Sequence, residues 1–368
     1  MKKIAIITLA ILLVSTISGC LGGGAGTPQD SVGQGYPGVE FIQFYPINNY
    51  VPEKSDASFY YAIQNNGYFD AENVQVMLYN CGDIKKGTHS WSEAADLGYT
   101  CNNYLPGQNK DPRDGITMKM PDRIQGVTGE VADAEISLET TNANLPVGES
   151  PHTVSARVRY DYQTTAIRDV VFTTFNNWKE KGGSIETGLL MSSSKPAPIE
   201  VSINAPDKAI IITEKKVGDV YMDQPQEFTI AVQIRNTGGG FLKDKSVNYV
   251  ELCYDPVLVE VANPKDFITC KDLVDGDEAW DSCCNKIENQ VYDPKIPNCL
   301  CVPADKQDTK LSLVGLTNQW RDVSAIFKTA VDDTGDAAVQ VQDISNFGST
   351  VEYTYMTDTS TQLTLLGQ

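Results

Sequence analysis

Along much of the chain, apolar and polar residues alternate with a period of two. Phe59, Tyr61 and Ile63 share one parity, with Ser58, Tyr60, Ala62 and Gln64 on the other, and the run stops at Asn65-Asn66-Gly67. Such alternation puts successive side chains on opposite faces of a strand, and an Asn/Gly cluster marks its turn. Val74, Val76 and Leu78 form the next stripe, so residues 58–80 predict two strands with a polar, Gly-containing connection. Ala132, Ala134, Ile136 and Leu138 repeat the pattern. So do Val154, Ala156, Val158, Tyr160 and Tyr162, with Ser155, Arg157, Arg159 and Asp161 expected to face water. Strands with one dry face suit the facing sheets of a sandwich.

The second half repeats the first. Phe228, Ile230, Val232 and Ile234 run into Asn236-Thr237-Gly238, as Ile63 runs into Asn65-Asn66-Gly67, and Val250, Leu252 and Tyr254 answer Val74, Val76 and Leu78. Near the ends, Val158-Arg159-Tyr160-Asp161-Tyr162-Gln163-Thr164 matches Val351-Glu352-Tyr353-Thr354-Tyr355-Met356-Thr357. Two copies of one domain explain this order. The prediction is an all-β protein of two tandem immunoglobulin-like β-sandwich domains, residues 39–175 and 199–368. Gly182-Gly183, Ser192-Ser193-Ser194 and Pro196-Ala197-Pro198 mark residues 176–198 as the linker. A last strand of the first domain is expected to reach about Phe175, before a helical turn around Trp178.

The chain opens with Lys2-Lys3, an apolar run from Ile4 to Ile17, then Ser18-Gly19-Cys20. This is the layout of an export signal, residues 1–19, too short in its apolar part for a spanning helix. Ile17-Ser18-Gly19-Cys20 resembles the lipobox of bacterial and archaeal lipoproteins. That resemblance implies that Cys20 becomes the first mature residue and carries lipid. Residues 20–38, rich in glycine with Ser, Gln and Pro, then read as a flexible tether to a membrane.

With 368 residues, 41% of them hydrophobic, two cores are affordable, and a net charge of −19 argues against a nucleic-acid partner. Nine cysteines become eight once Cys20 is set aside. In an exported chain, disulfides are their expected use. Cys81 and Cys101 lie in the first half and are expected to pair; Cys253, Cys270, Cys283, Cys284, Cys299 and Cys301 lie in the second, with their connectivity open. Residues 253–301 predict a disulfide-rich insertion, and Trp280, flanked by Glu278 and Asp281, makes it the candidate partner-binding surface.

Residues 39–80 resemble the CARDB and S-layer-type immunoglobulin-like domains of archaeal secreted proteins. The residues concerned are Pro46, Pro52, Asn65-Asn66-Gly67 and Ala71-Glu72-Asn73-Val74-Gln75-Val76-Met77-Leu78. The likeness covers part of the first domain and fades in the second. It implies a fold and a surface location, and brings no catalytic residues with it.

His89 and His152, the two histidines, have no Cys, Asp or second His at metal-ligand spacing and read as solvated loop residues. No nucleophile elbow, phosphate loop or dinucleotide fingerprint occurs. No cofactor, metal or catalytic residue is expected. The sequence predicts a non-catalytic, lipid-anchored protein on the outer face of the cytoplasmic membrane: an adhesin, an envelope component or an accessory subunit, meeting a surface protein or glycan. A solute-binding lipoprotein is the alternative, and a secreted hydrolase ranks third.

Overall fold

The computed structural model describes residues 38–52, 55–79, 100–104, 115–139, 147–185, 192–217, 220–269, 298–303, 310–313, 319–330, 339 and 341–367. Residues Gly35–Gln368 form one compact unit. The chain is almost entirely β, in open and mainly antiparallel sheets.

In the first half the strands are β1 (Val39–Pro46), β2 (Tyr50–Pro52), β3 (Asp56–Asn65), β4 (Ala71–Tyr79), β5 (Thr100–Tyr104), β6 (Ile116–Met118), β7 (Val131–Glu139) and β8 (Gly148–Thr174). A six-residue helix, α1 (Phe175–Glu180), follows, its first turn capped by the Thr174 hydroxyl. Then come β9 (Ser192–Ser194), β10 (Ile199–Asn204), β11 (Ile210–Val217), β12 (Val220–Gln224), β13 (Glu227–Asn236), β14 (Phe241–Leu242), β15 (Tyr249–Tyr254), β16 (Val259–Asn263), β17 (Ile268–Thr269), β18 (Asn298–Cys301), β19 (Arg321–Thr329) and β20 (Gln342–Gly367).

Among the described residues these strands form three sheets. Two are small, ordered β1-β3-β7 and β10-β13-β19-β16. The third is large and is organised around β8 and β20, which pair antiparallel along all 26 residues of β20. Tyr160 and Phe172 share one parity on β8. Tyr160 lies against Gly38 at the entry to β1, and the Phe172 ring meets Phe228 of β13, so both small sheets pack on one face of the β8–β20 ribbon. Phe228 also meets Phe327 of β19 and Phe347 of β20. Burying whole aromatic side chains in this way contributes roughly 1.5–3 kcal/mol each.

The two halves share their wiring. Val39 faces Asn65 across β1 and β3, as Ile199 faces Asn236 across β10 and β13. β4 flanks β8 as β15 flanks β20. The correspondence differs by two residues from the sequence alignment: Val76 faces Val158 and Val250 faces Val351, so Val250 answers Val76 and Leu252 answers Leu78. A bulge between Glu72 and Gln75, with Asn73 at φ 50°, adds one residue to β4 relative to β8.

The halves are also interlocked. The far end of β8 pairs with β11 of the second half, through Phe172, Thr173 and Thr174, and the far end of β20 pairs with β2 of the first half, through Thr364, Leu365 and Leu366. Each last strand thus begins in its own half and finishes in the other. The segment expected to be a linker is partly structured: Ser192–Ser194 pairs with β8 and Ala197 is buried. The helix comes where it was expected, directly after a strand ending at Thr174.

Candidate functional site

Each Asn-x-Gly turn is tied to the ribbon by a tyrosine. Asn65 is fully buried; its Nδ2 donates to the carbonyls of Phe69 and Met118, both at 2.9 Å, and its Oδ1 accepts from Gly67 N at 3.0 Å. Phe69 N donates to the Tyr162 hydroxyl at 3.0 Å. In the second half, Asn236 Nδ2 donates to Gly240 O at 2.9 Å, the Tyr355 hydroxyl donates to Asn236 Oδ1 at 2.8 Å, and Gly240 N donates to the Tyr355 oxygen at 3.0 Å. Buried amides are tolerated because their donors and acceptors are matched.

Tyr160, Tyr162, Tyr353 and Tyr355 gather at the middle of the ribbon, with neighbouring ring centroids 5.7–6.2 Å apart. Burial raises all four phenol pKa values, Tyr162 and Tyr355 to about 12 and Tyr160 and Tyr353 well above the ordinary value. The cluster is neutral and packed, with Tyr353 hydrogen-bonded to Thr164 at 2.9 Å.

The other face of the ribbon carries Ser155 and Arg157. The alternating pattern puts both towards water, yet each is only 8% exposed. Arg157 lies between the rings of Tyr79 and Phe241, 4.9 and 4.6 Å from their centroids, and makes a two-pronged ion pair with Asp358 at 2.6 and 2.8 Å. Tyr79 donates to the same carboxylate at 2.9 Å. The ion pair and hydrogen bonds hold the guanidinium pKa above its ordinary value against the opposing effect of burial, with the Asp358 hydrogen bond the largest cause. Nothing in the alternating pattern signals this; stacking of a planar cation between two rings depends on β4 and β14 flanking the ribbon.

Of the cysteines, Cys253 on β15 and Cys299 on β18 face each other across the ladder and form a disulfide, and Cys301 is also disulfide-bonded. Glu251 brings a carboxylate within 4.8 Å of the two sulfurs, but these are bonded to one another and offer no thiolate for a metal. The borders of the expected insertion belong to the core. β16 lies in a small sheet, β18 lies in the large one, and Leu300, Cys301 and Val302 are buried, because β18 is paired on both sides, with β15 and with β17. Cys20, Cys81, Cys270, Cys283, Cys284, Trp280 and His89 lie outside the described residues, as does the side chain of Cys101. His152 lies near the start of β8 and is partly buried rather than solvated, with Nε2 3.3 Å from Ser150 Oγ.

A cleft of about 440 Å³ at the end of the ribbon is lined by Lys181, Ser184, Ile185 and Gln342. Among the described residues no helix is long and apolar enough to cross a membrane. Among the described residues the most exposed apolar side chain is Ile124, 99% accessible, on a turn beside the start of β1.

No family model matches the sequence, and no curated protein matches it. Among solved structures, the infectious bursal disease virus VP2 subviral particle aligns over 88% of this chain and 83% of its own, at 10% identity and a TM-score of 0.10. The native conformation of the Escherichia coli alpha-2-macroglobulin aligns over 91% of this chain and 23% of its own, at 8% identity and a TM-score of 0.14. At these scores neither likeness carries a structural or functional conclusion.

Proposed function

We propose that this protein is a non-catalytic surface lipoprotein, held by lipid on Cys20 at the outer face of the cytoplasmic membrane, whose two repeats are immunoglobulin-like sandwiches sharing a central ribbon. The observation that carries the reading is the Cys253–Cys299 disulfide across β15 and β18, which belongs to an oxidising compartment and agrees with an export signal over residues 1–19. The polar networks around Asn65, Asn236, Arg157 and Asp161 support a scaffold role, since each joins strand to strand. A hinged solute receptor needs lobes that swing apart, whereas here β8 and β20 bind the halves along their whole lengths. Cys20→Ser tests the reading. The parent protein should fractionate with membranes and incorporate labelled lipid, whereas the variant should incorporate none and either leave the membrane or persist unprocessed; a variant that is cleaved and remains membrane-bound contradicts it.

A further inference from the structure

The exposed turn Met120–Val127 is built to be stiff. Asp122 Oδ1 accepts from the backbone N–H groups of Ile124 and Gln125, both at 3.0 Å, and Val127 N closes the turn on Asp122 O at 2.9 Å. Gly126 supplies the left-handed residue the turn requires, at φ 71°. Below the turn, Arg123 stacks 3.9 Å above the Tyr68 ring, and Glu130 N donates to Lys119 O at 3.0 Å. On this frame Ile124 is 99% exposed, Val127 55% and Met120 48%. Solvent gains nothing from a rigid apolar tip, and a mobile polar turn would be cheaper to keep in water.

Its position is specific. Arg123 Nη2 donates to Asn66 O at 3.2 Å, and Asn66 N donates to Gly38 O at 2.7 Å. Gly38 is where the chain enters β1, so the apolar tip stands two hydrogen bonds from the point at which the anchor segment joins the folded body. Leu21 to Gly38 is all that separates Cys20 from β1. Eighteen residues span at most about 60 Å. A lipid on Cys20 therefore holds this turn within reach of the bilayer at high effective concentration.

We infer that the Met120–Val127 turn docks on the lipid surface to which the chain is anchored, seating Ile124, Val127 and Met120 among the headgroups and upper acyl chains. The inference rests on the lipid-anchored reading above. The charges near the tip are net acidic: Arg123 and Lys119 stand against Asp122, Asp70 and Glu130, whose carboxylate accepts from Lys119 N at 2.8 Å. The driving force is therefore apolar contact rather than attraction to anionic lipid, and docking should occur on neutral phosphatidylcholine and resist salt. The role of the contact is to fix the orientation of the sandwich layers relative to the membrane.

The experiment uses the full-length, lipid-modified protein in phosphatidylcholine vesicles, with and without bromine-labelled acyl chains. Ile124→Trp is compared with the parent and with Val257→Trp, a position 66% exposed in the second half. The Ile124→Trp difference emission should shift to the blue on reconstitution and be lost to bromine quenching, unchanged by salt, while the Val257→Trp signal stays unquenched. Protein that floats with the vesicles while the Ile124→Trp signal stays unquenched overturns the docking and leaves the anchor intact. Equal quenching at both positions also overturns it. Protein that does not float overturns the anchor, and the docking with it.

Discussion

Asp161 and Thr354 face each other across the β8–β20 pair, Thr354 Oγ1 donating to Asp161 Oδ1 at 2.6 Å, and they are the same position in the two repeats. An approximate two-fold axis therefore passes between them. Asn73 donates to Asp161 on one side at 2.7 Å and Asn248 to Thr354 on the other at 3.0 Å. The same axis exchanges Tyr160 with Tyr353 and Tyr162 with Tyr355. The chain has the geometry of a symmetric dimer whose subunits have been joined.

This exchange predicts one cooperative body. A chain cut at a protease site engineered between Glu186 and Met191 should elute as a single species and unfold in a single transition, since β8 and β20 each complete the opposite half. Separate elution of the two pieces, or two melting steps, would contradict the interlock.

Gly67 and Gly238 are required for space. A Cβ on Gly67 would lie 1.7 Å from the Tyr162 hydroxyl, and one on Gly238 2.4 Å from that of Tyr355. Gly67→Ala should cost about 1–3 kcal/mol by overpacking, and adding Tyr162→Phe should recover part of the loss. Denaturant titration of the single and double variants measures the coupling; strictly additive losses would show that the two groups do not meet.

The tyrosine cluster predicts loss of stability in alkali. Folding raises the Tyr162 and Tyr355 pKa values from the usual 10 to about 12, chiefly by burial. The stabilisation is full below pH 10 and is lost as pH climbs through about 12, by roughly 3 kcal/mol for each of the two. Tyrosinate absorbance should rise together with loss of β-sheet circular dichroism. Ionisation of all the tyrosines in a chain that stays folded would contradict this.

Asp358→Asn should weaken the Arg157 clamp and leave a buried guanidinium poorly matched. About one third of the Asp358 side chain is exposed, which limits the loss to about 2 kcal/mol, below the range for a fully buried pair. The midpoint of urea unfolding measures it, and Lys179→Ala on the helix surface serves as a neutral comparison. An unchanged midpoint would mark the clamp as incidental.

The strands themselves were legible because period-two alternation is local. Phe59 to Ile63, Val154 to Tyr162 and Phe228 to Ile234 each state which face is dry, and Asn65-Asn66-Gly67 and Asn236-Thr237-Gly238 state where the chain turns. The repeat was visible for the same reason. Pairing partners are not local. Alternation shows that Tyr160 points inwards but cannot name Tyr355 as its neighbour, so two copies read naturally as tandem domains with a linker, and the exchange of β8 and β20 did not show. Arg157 was misplaced for a related reason: its polarity says water, and only the approach of Tyr79, Phe241 and Asp358 from three other strands makes a dry position favourable. The sequence by itself determined the all-β character and the internal repeat, since these depend on side-chain order alone. The tertiary structure decided that the halves interlock, that Cys253 meets Cys299, and that the Ile124 turn stands beside the entry to β1, since each depends on segments far apart in the chain being brought together.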